Sequence, residues 1–573
     1  MDIAGKKLII KALTEEKVDT VFAYPGGMIV DIMDELYKQE NLHVVLARHE
    51  QALVHEAEGY ARATGKPGVC LVTSGPGATN TITAIADAHY DSIPLVVLTG
   101  QVPQGLIGND AFQEVDIVGM TRSVTKYSVT VRDRKDLGRI LKMAFVIATT
   151  GKPGPVLIDI PKDIQTQDGP AEYPESISIR GYNPNESVHI GQLKRAFKLL
   201  TSAKQPIILA GGGVRISGAE EKLEAFAQAM QIPVVTTIMG KGTMPENHPL
   251  YVGNSGMHGR YAANMAVMEC DVLFSIGTRF NDRITGDLNE FAPKAKIIHV
   301  DVETASISRN VVVDIPVVSD ASLALEKMLE WAKPLHTKEW LKKINDWEAK
   351  HPLAMREGKG VCPQKVMEAI NEVFPKSIVV TDVGQHQMWA TQYIKTGKDS
   401  KFITSGGLGT MGFGFPAAVG AAIGAPKKDV VCITGDGGFQ MNMQELATCV
   451  CQGAEVVICI MNNQYLGMVR QMQQLFYGKR YSMVSLRKQH GFKDVSKDVT
   501  AVHGEYVPDF IKLADVYGIK GIRVEKDEDI LPALKEAKKV KGKPTIIEFM
   551  IPPEELVLPM VKGGNPMSEM ILK

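Results

Sequence analysis

Cysteine is sparse in this chain, with seven in 573 residues, and no two are spaced as Cys-x-x-Cys. Cys70, Cys432 and Cys459 lie inside apolar runs. Scattered thiols of this kind point to a reduced compartment rather than a disulfide framework. An excess of either charge is also missing: 64 Lys and Arg stand against 65 Asp and Glu, a formal net charge of −1. That balance argues against nucleic acid or an acidic membrane surface as the main partner. No apolar run approaches the ~20 residues of a membrane span. The opening residues, Met1-Asp2-Ile3-Ala4-Gly5-Lys6-Lys7, show neither a signal nor a transit pattern, so the expected location is the cytoplasm.

What is present is ordinary globular material, 45% hydrophobic and 23% charged, in a chain too long for one core. Two stretches read as linkers. Residues 165–190 are polar and hold Pro170, Pro174 and Pro184, and residues 333–362 are charged. They leave three blocks, each of roughly 150–200 residues, a normal domain size. Every block alternates short apolar runs with helical patterns, which is the signature of α/β domains with doubly wound parallel sheets. The expected strands are Val69–Thr73, Leu95–Thr99 and Val156–Ile160 in the first block. In the second they are Ile207–Ala210, Val234–Thr237, Val272–Ile276 and Ile297–Val302. In the third they are Ile378–Thr381, Val430–Thr434, Val456–Met461 and Thr545–Phe549. No strict repeat is visible; the blocks resemble one another in pattern only.

Several strands run into chemistry-bearing turns. Val430–Thr434 leads to Gly435-Asp436-Gly437, and Val456–Met461 leads to Asn462-Asn463. A carboxylate, an amide and glycine-lined backbone at two strand ends suit a hard divalent ion bridging to phosphates. The plain alternative is a pair of ordinary turns. Val44–Leu46 leads to Ala47-Arg48-His49-Glu50-Gln51, where a first-turn glutamate could simply complement the helix dipole. Two further glycine turns in that block, Tyr24-Pro25-Gly26-Gly27 and Ser74-Gly75-Pro76-Gly77, make a pocket the better reading. Ile208–Ala210 enters Gly211-Gly212-Gly213, suited to a pyrophosphate although it is no complete Gly-x-Gly-x-x-Gly.

Tyr24–Gly27, Arg48–Gln51, Gly75–Gly77 and the Gly435…Asn463 motif, in this order, resemble the thiamine-diphosphate enzymes that act on 2-keto acids. More narrowly, the chain resembles the catalytic subunits of the acetohydroxyacid (acetolactate) synthase family over nearly its whole length. The narrower markers are Gln101-Val102-Pro103, Asp110–Glu114, Pro161-Lys162-Asp163, Arg279-Phe280-Asn281-Asp282-Arg283 and Leu466–Gln471. The resemblance implies a pyrimidine-binding domain at 1–166, a central FAD-binding domain at 190–333, a diphosphate- and Mg²⁺-binding domain at 362–552 and a tail at 553–573.

The same resemblance implies roles. Glu50 would hydrogen-bond N1′ of the aminopyrimidine, where a carboxylate stabilises developing positive charge. Tyr24, Pro25, Gly26 and Gly27 would line the cofactor. Asp436, Asn463 and the Tyr465 carbonyl would hold Mg²⁺. Gly384, Gln385, His386, Gly437 and Gly438 would meet the diphosphate, and Gly409 and Met411 would support the bent cofactor; on residue type alone Met411 is core filling. Phe112 and Gln113 would line the reaction centre. Lys162 and Arg283 would face an acceptor carboxylate, although Lys162 alone would ordinarily be a surface cation. FAD would contact Gly211, Gly212, Gly213, Gly256, Met257, His258, Arg279, Asp282, Arg283, Asp301 and Asp320, without a net redox role. Met468, Val469 and Met472 would line the access path. The implied reaction decarboxylates pyruvate and adds the product to pyruvate or 2-oxobutyrate, for branched-chain amino acid synthesis. In related enzymes the blocks bearing Glu50 and the metal ligands meet across a subunit interface, so an obligate homodimer with shared sites, or a dimer of dimers, is expected, with a small regulatory subunit as a further partner.

Three positions depart from the family pattern. Met472 stands where Trp is usual, Asn281 where Asp is common, and Lys152 where Arg is common. Met472 lacks the flat ring that favours 2-oxobutyrate, so that preference should weaken. Among alternatives, a pyruvate oxidase would need flavin reduction, glyoxylate carboligase relatives lack the glutamate, and a nicotinamide enzyme lacks its fingerprint here. A fold-only homologue is opposed by intact Glu50, Asp436 and Asn463.

Overall fold

The computed structural model describes residues 2–185, 187–353, 355, 360–487 and 508–573. The chain forms two compact units. The first comprises Met1–Asn183, Ser377–Gln387 and Ile403–Pro553; the second comprises Pro184–Lys376, Met388–Phe402 and Glu554–Lys573. All three large sheets are six-stranded, and every pairing described in them is parallel.

In the first unit, the amino-terminal sheet runs in the spatial order His43–Leu46, Thr20–Tyr24, Gly68–Val72, Leu95–Gln101, Pro155–Pro161, Tyr127–Thr130. The carboxyl-terminal sheet runs Lys401–Thr404, Ile378–Thr381, Val430–Gly435, Val456–Asn462, Thr545–Met550, Lys520–Val524. Counted along the chain both orders are 2-1-3-4-6-5, so the blocks that share no sequence repeat share a topology. The second unit differs. Its sheet runs Tyr251–Asn254, Val234–Thr236, Pro206–Ala210, Val272–Ile276, Lys296–Asp301, Ile315–Val318. That is 3-2-1-4-5-6, the order of doubly wound dinucleotide-binding sheets. The central strands are buried on both faces and read as continuous Val, Ile and Leu runs, as parallel strands under helices must.

Two expected linkers carry structure. Within 165–190, Asp168–Pro170 pairs antiparallel with Asp2–Ala4. Within 333–362, Lys338–Lys350 is a helix. Trp340, Ile344 and Trp347 recur at helical spacing among its charges, and they pack on the second unit's core. The Trp340 indole donates to the Pro206 carbonyl at 3.1 Å.

The amino-terminal and carboxyl-terminal sheets meet through two helices, Glu50–Thr64 and Gly414–Gly424. Their backbones touch. A Cβ on Gly59 would lie 1.9 Å from the Ala417 carbonyl oxygen, and one on Gly420 would lie 1.8 Å from that of Glu56. Gly420→Ala must therefore part the two helices. We expect a loss of about 1–3 kcal/mol or more of stability, the cost of overpacking a dense interior, read as a lowered midpoint in denaturant unfolding.

Candidate active site

In a doubly wound sheet, ligands sit where the strand order reverses, beyond the strands' carboxyl ends. In the amino-terminal sheet that point lies between Thr20–Tyr24 and Gly68–Val72. The turns leaving these strands are Tyr24-Pro25-Gly26-Gly27 and Ser74-Gly75-Pro76-Gly77. Gly26 packs on Thr73, where a Cβ would lie 2.5 Å from the threonine side chain. The Met28 amide donates to Thr73 Oγ1 at 3.3 Å. Glu50 opens its helix beside these turns, with His49 at the cap accepting from the Gln51 amide at 3.1 Å. Glu50 Oε2 accepts from Asn80 Nδ2 at 3.0 Å, and Oε1 lies 3.4 Å from where a Gly77 Cβ would stand. Gln113, in a left-handed conformation at φ 59°, abuts Gly75. Lys162 Nζ donates to the Gly27 carbonyl at 2.8 Å and lies 3.5 Å from Asp31. Phe112 is 83% exposed. Five sequence-predicted elements thus gather at one sheet edge. Ser74 Oγ is buried there without a protein partner among the described residues.

In the carboxyl-terminal sheet the reversal lies between Ile378–Thr381 and Val430–Gly435. Asp436 follows the second strand and is 2% exposed. Its Oδ2 accepts from the Gln464 amide at 2.7 Å and its Oδ1 from the Gly437 amide at 3.0 Å. Burial pushes this carboxyl up to about 7 against those amides. Asn463 turns its amide to Gln385 Oε1 at 3.2 Å, and its Oδ1 accepts from the Tyr465 amide at 3.0 Å. Its neighbour Asn462 donates to Glu548 at 2.7 Å, which fixes the strand end. Gly467 has to be glycine, because a Cβ there would lie 2.1 Å from Gln385 Oε1. His386 packs against Gly384 and Gly435, and its buried Nε2 has no protein partner among the described residues. Burial holds its imidazole neutral, with a pKa lowered to about 3. The Met411 methyl reaches toward Gly437. Met468 and Met472 are half-buried and Val469 exposed, on the helix Gly467–Phe476 opposite buried Arg470 and Gln471.

The loop bearing Gly409 and Met411 is held by acids that sequence reasoning missed. Asp382 accepts from the Val383 amide at 2.8 Å, the Gly412 amide at 3.1 Å and the Gly414 amide at 2.8 Å. Asp87 accepts from the Ser405 hydroxyl at 2.5 Å and the Thr410 hydroxyl at 2.8 Å. Asp91 accepts from the Gly407 amide at 2.7 Å and pairs with Arg62 at 2.7 Å. His55, Glu58 and Asp87 bring ligand atoms within 4.8 Å of one another. Arg62, 3.7 Å from Glu58, already supplies positive charge to this set. Burial, then the charge of Asp87, pushes the Glu58 carboxyl well above the usual range.

In the second unit the reversal lies between Pro206–Ala210 and Val272–Ile276. Gly211, Gly212 and Gly213 leave the first of these strands against Gly277, which follows the second. A Gly211 Cβ would lie 2.2 Å from the Gly277 carbonyl oxygen, and the Gly213 amide donates to that oxygen at 3.0 Å. Gly256 has φ 126°, and the Met257 amide donates to the Arg283 carbonyl at 2.9 Å. His258 Nδ1 lies 3.2 Å from the Pro559 carbonyl oxygen. Arg279 and Asp282 flank the buried Phe280, and Asp282 lies 3.5 Å from Arg283 with both side chains exposed. Asn281 Oδ1 is buried without a protein partner among the described residues. Asp301 Oδ1 accepts from the Glu303 amide at 2.8 Å. Asp320 caps the helix Ala321–Leu329, accepting from Ser322 and Leu323 amides at 2.8 and 3.3 Å.

None of the seven cysteines, all among the described residues, is in a disulfide, and six are buried. No helix among the described residues is long and apolar enough to cross a membrane.

Family models describe the chain in three parts. Residues 3–120 match the N-terminal TPP binding domain of thiamine pyrophosphate enzymes, 193–328 their central domain and 382–549 their C-terminal TPP binding domain. The chain is 46% identical to a probable acetolactate synthase large subunit of Methanocaldococcus jannaschii, over 99% of this chain and 95% of that one. It is 45% identical to the acetolactate synthase large subunit of Corynebacterium glutamicum, over 99% and 90% of the two chains. It is 43% identical to that of Haemophilus influenzae, over 100% and 98%. With both glycine-lined switch points of the first unit in place, the chain belongs to the acetolactate synthase large-subunit family of thiamine pyrophosphate enzymes.

Proposed function

We propose that the protein decarboxylates pyruvate and joins the remaining two carbons to a second 2-keto acid, giving 2-acetolactate or 2-aceto-2-hydroxybutyrate for branched-chain amino acid synthesis. The observation that carries this is a pair of switch points in one unit, one presenting Glu50 and the other Asp436 with Asn463. When bound, thiamine diphosphate supplies an electron sink for the pair left by carbon dioxide.

The residues fit that group and its metal. Oxygen donors from Asp436, Asn463 and the Tyr465 carbonyl suit Mg²⁺, and a cation would oppose the desolvation that raises the Asp436 carboxyl to about 7. Gly384, Gln385, His386, Gly437 and Gly438 would meet the diphosphate through backbone amides and short side chains. Glu50 holds a proton at the pyrimidine N1′ through Oε1, since Asn80 engages Oε2. Tyr24–Gly27 and the Gly75–Gly77 turn exclude water from that edge. In this reading Gln113 and Phe112 line the reacting side, and Lys162 is a cation for the acceptor carboxylate.

FAD fits the second unit. A 3-2-1-4-5-6 sheet with three glycines at its reversal accommodates a pyrophosphate, and the unpartnered Asn281 Oδ1 offers an acceptor beside Arg279 and Asp282. In this reading residues 1–166, 190–333 and 362–552 bind pyrimidine, FAD and diphosphate respectively. The protein is a cytoplasmic homodimer, or a dimer of dimers, that takes a small regulatory subunit. An active monomer in sedimentation would contradict it.

The deciding assay supplies pyruvate, Mg²⁺ and thiamine diphosphate, with and without FAD, and scores acetolactate. Acetolactate formation with unchanged flavin absorbance supports the synthase; bleaching matched to turnover favours a pyruvate oxidase. Met472→Trp should shift competition between the two acceptors toward 2-oxobutyrate, by the ~1–3 kcal/mol that one apolar contact contributes to a specificity ratio. An unchanged product ratio rejects Met472 as an acceptor-facing residue.

A further inference from the structure

Two buried glutamates have no part in the chemistry above. Glu56 lies in the helix that Glu50 opens, without exposed surface, and neither of its oxygens has a hydrogen-bond donor among the described residues. Glu445 follows the Asp436–Asn442 helix of the other sheet and is equally buried. Its two oxygens accept from the Arg48 backbone amide at 3.0 and 3.1 Å, and Oε2 also accepts from the Thr448 hydroxyl at 2.5 Å. Arg48 stands two residues before Glu50. A carboxylate from the carboxyl-terminal sheet thus grips the backbone of the turn that presents Glu50.

The Glu56 carboxyl lies within hydrogen-bonding reach of Glu445, and two carboxyls so placed inside a protein repel unless one proton lies between them. Glu445 has donors that stabilise its anion, and Glu56 has none, so the proton belongs to Glu56. Burial, then the Glu445 charge, pushes Glu56 well above the usual carboxylate range. Burial also raises Glu445, opposed by Thr448 and the Arg48 amide. The other titratable groups facing the pair are the Arg48 guanidinium, which lowers both, and the Cys70 and Cys449 thiols, kept neutral by burial.

We propose that Glu445 and a protonated Glu56 are positioning residues, a carboxylic acid–carboxylate pair that sets the turn bearing Glu50. The proposal rests on the role given to Glu50 above. Glu56 donates its proton to Glu445, and Glu445 in turn fixes the Arg48 amide. The bond joins an element of each sheet, so the pyrimidine-side turn is aligned by the segment that follows Asp436.

The test uses the full-length protein with thiamine diphosphate and Mg²⁺, and reads exchange of the cofactor's C2 proton for deuterium by rapid quench and NMR. Glu56→Met removes the donor, and exchange should slow roughly 10- to 100-fold, the cost of a misplaced reacting group. Glu56→Gln restores a donor to Glu445 and should recover most of that loss. Exchange in Glu56→Met at the parent rate, or Glu56→Gln no better than Glu56→Met, overturns the proposal. A second measurement needs no cofactor. Infrared difference spectra of the apoprotein, parent minus Glu56→Gln, should contain a carboxylic-acid carbonyl band that shifts in deuterium oxide; its absence overturns the protonated pair. Glu50→Gln separates the two readings. If it leaves exchange unchanged, the role of Glu50 falls, while the infrared band still decides whether the pair shares a proton.

Discussion

Glu50→Gln lowers kcat by about 10²–10⁴-fold, the range assigned to a positioned acid–base group, with folding and cofactor binding retained. The amide keeps the shape of the side chain, and its oxygen can still accept from Asn80, which lies 3.0 Å from Oε2. What it loses is the negative charge that favours a proton on the pyrimidine nitrogen. Glu50 is half-buried, with Asn80 on Oε2 and Gly77 beside Oε1, and neither neighbour carries a charge that could replace it. The measurement pairs steady-state kcat for acetolactate with a calorimetric titration of thiamine diphosphate. A variant that turns over within threefold of the parent while binding cofactor normally would remove Glu50 from the chemistry.

The candidate site is legible wherever a glycine turn closes a buried parallel strand. Val430–Gly435 and Val456–Asn462 announce themselves as apolar runs, and Asp436 and Asn463 follow directly. The edge strands give no such signal. Tyr127–Thr130 and Lys520–Val524 are polar or half-exposed, and their sheet membership is decided by pairing with a neighbour. The buried acids were hidden for a different reason. Helix Glu50–Thr64 is buried from Ala52 to Ala61, including His55, Glu56 and Glu58. Charged residues on a helix ordinarily mark its solvent face. Only tertiary contact with Glu445, Arg62 and Asp87 explains why these do not. The charges of 333–362 suggest a linker, but Trp340, Ile344 and Trp347 at helical spacing mark the amphipathic helix found there.

Asp436→Asn should abolish thiamine diphosphate binding at ordinary Mg²⁺ concentrations, weakening it by more than about 100-fold. Loss of a residue that merely orients a metal ligand costs 10–100-fold, and Asp436 is the only anion in the proposed donor set of carboxylate, amide and carbonyl. The apoprotein should not suffer equally. Without a cation the Asp436 carboxylate is a charge 2% exposed, and burial already drives it toward the neutral acid, at about 7. An asparagine can keep the 2.7 Å bond from the Gln464 amide through its oxygen and buries no charge. The variant apoprotein should therefore melt at or above the parent's temperature. The parent alone should gain stability on adding cofactor and Mg²⁺ together, because a ligand stabilises only the state it binds. Melting curves of both proteins, with and without the pair of ligands, read this directly. Equal ligand-induced shifts would show that the metal is held elsewhere. A destabilised variant apoprotein would instead show that Asp436 serves the fold as much as the site, through its amide bonds rather than through charge.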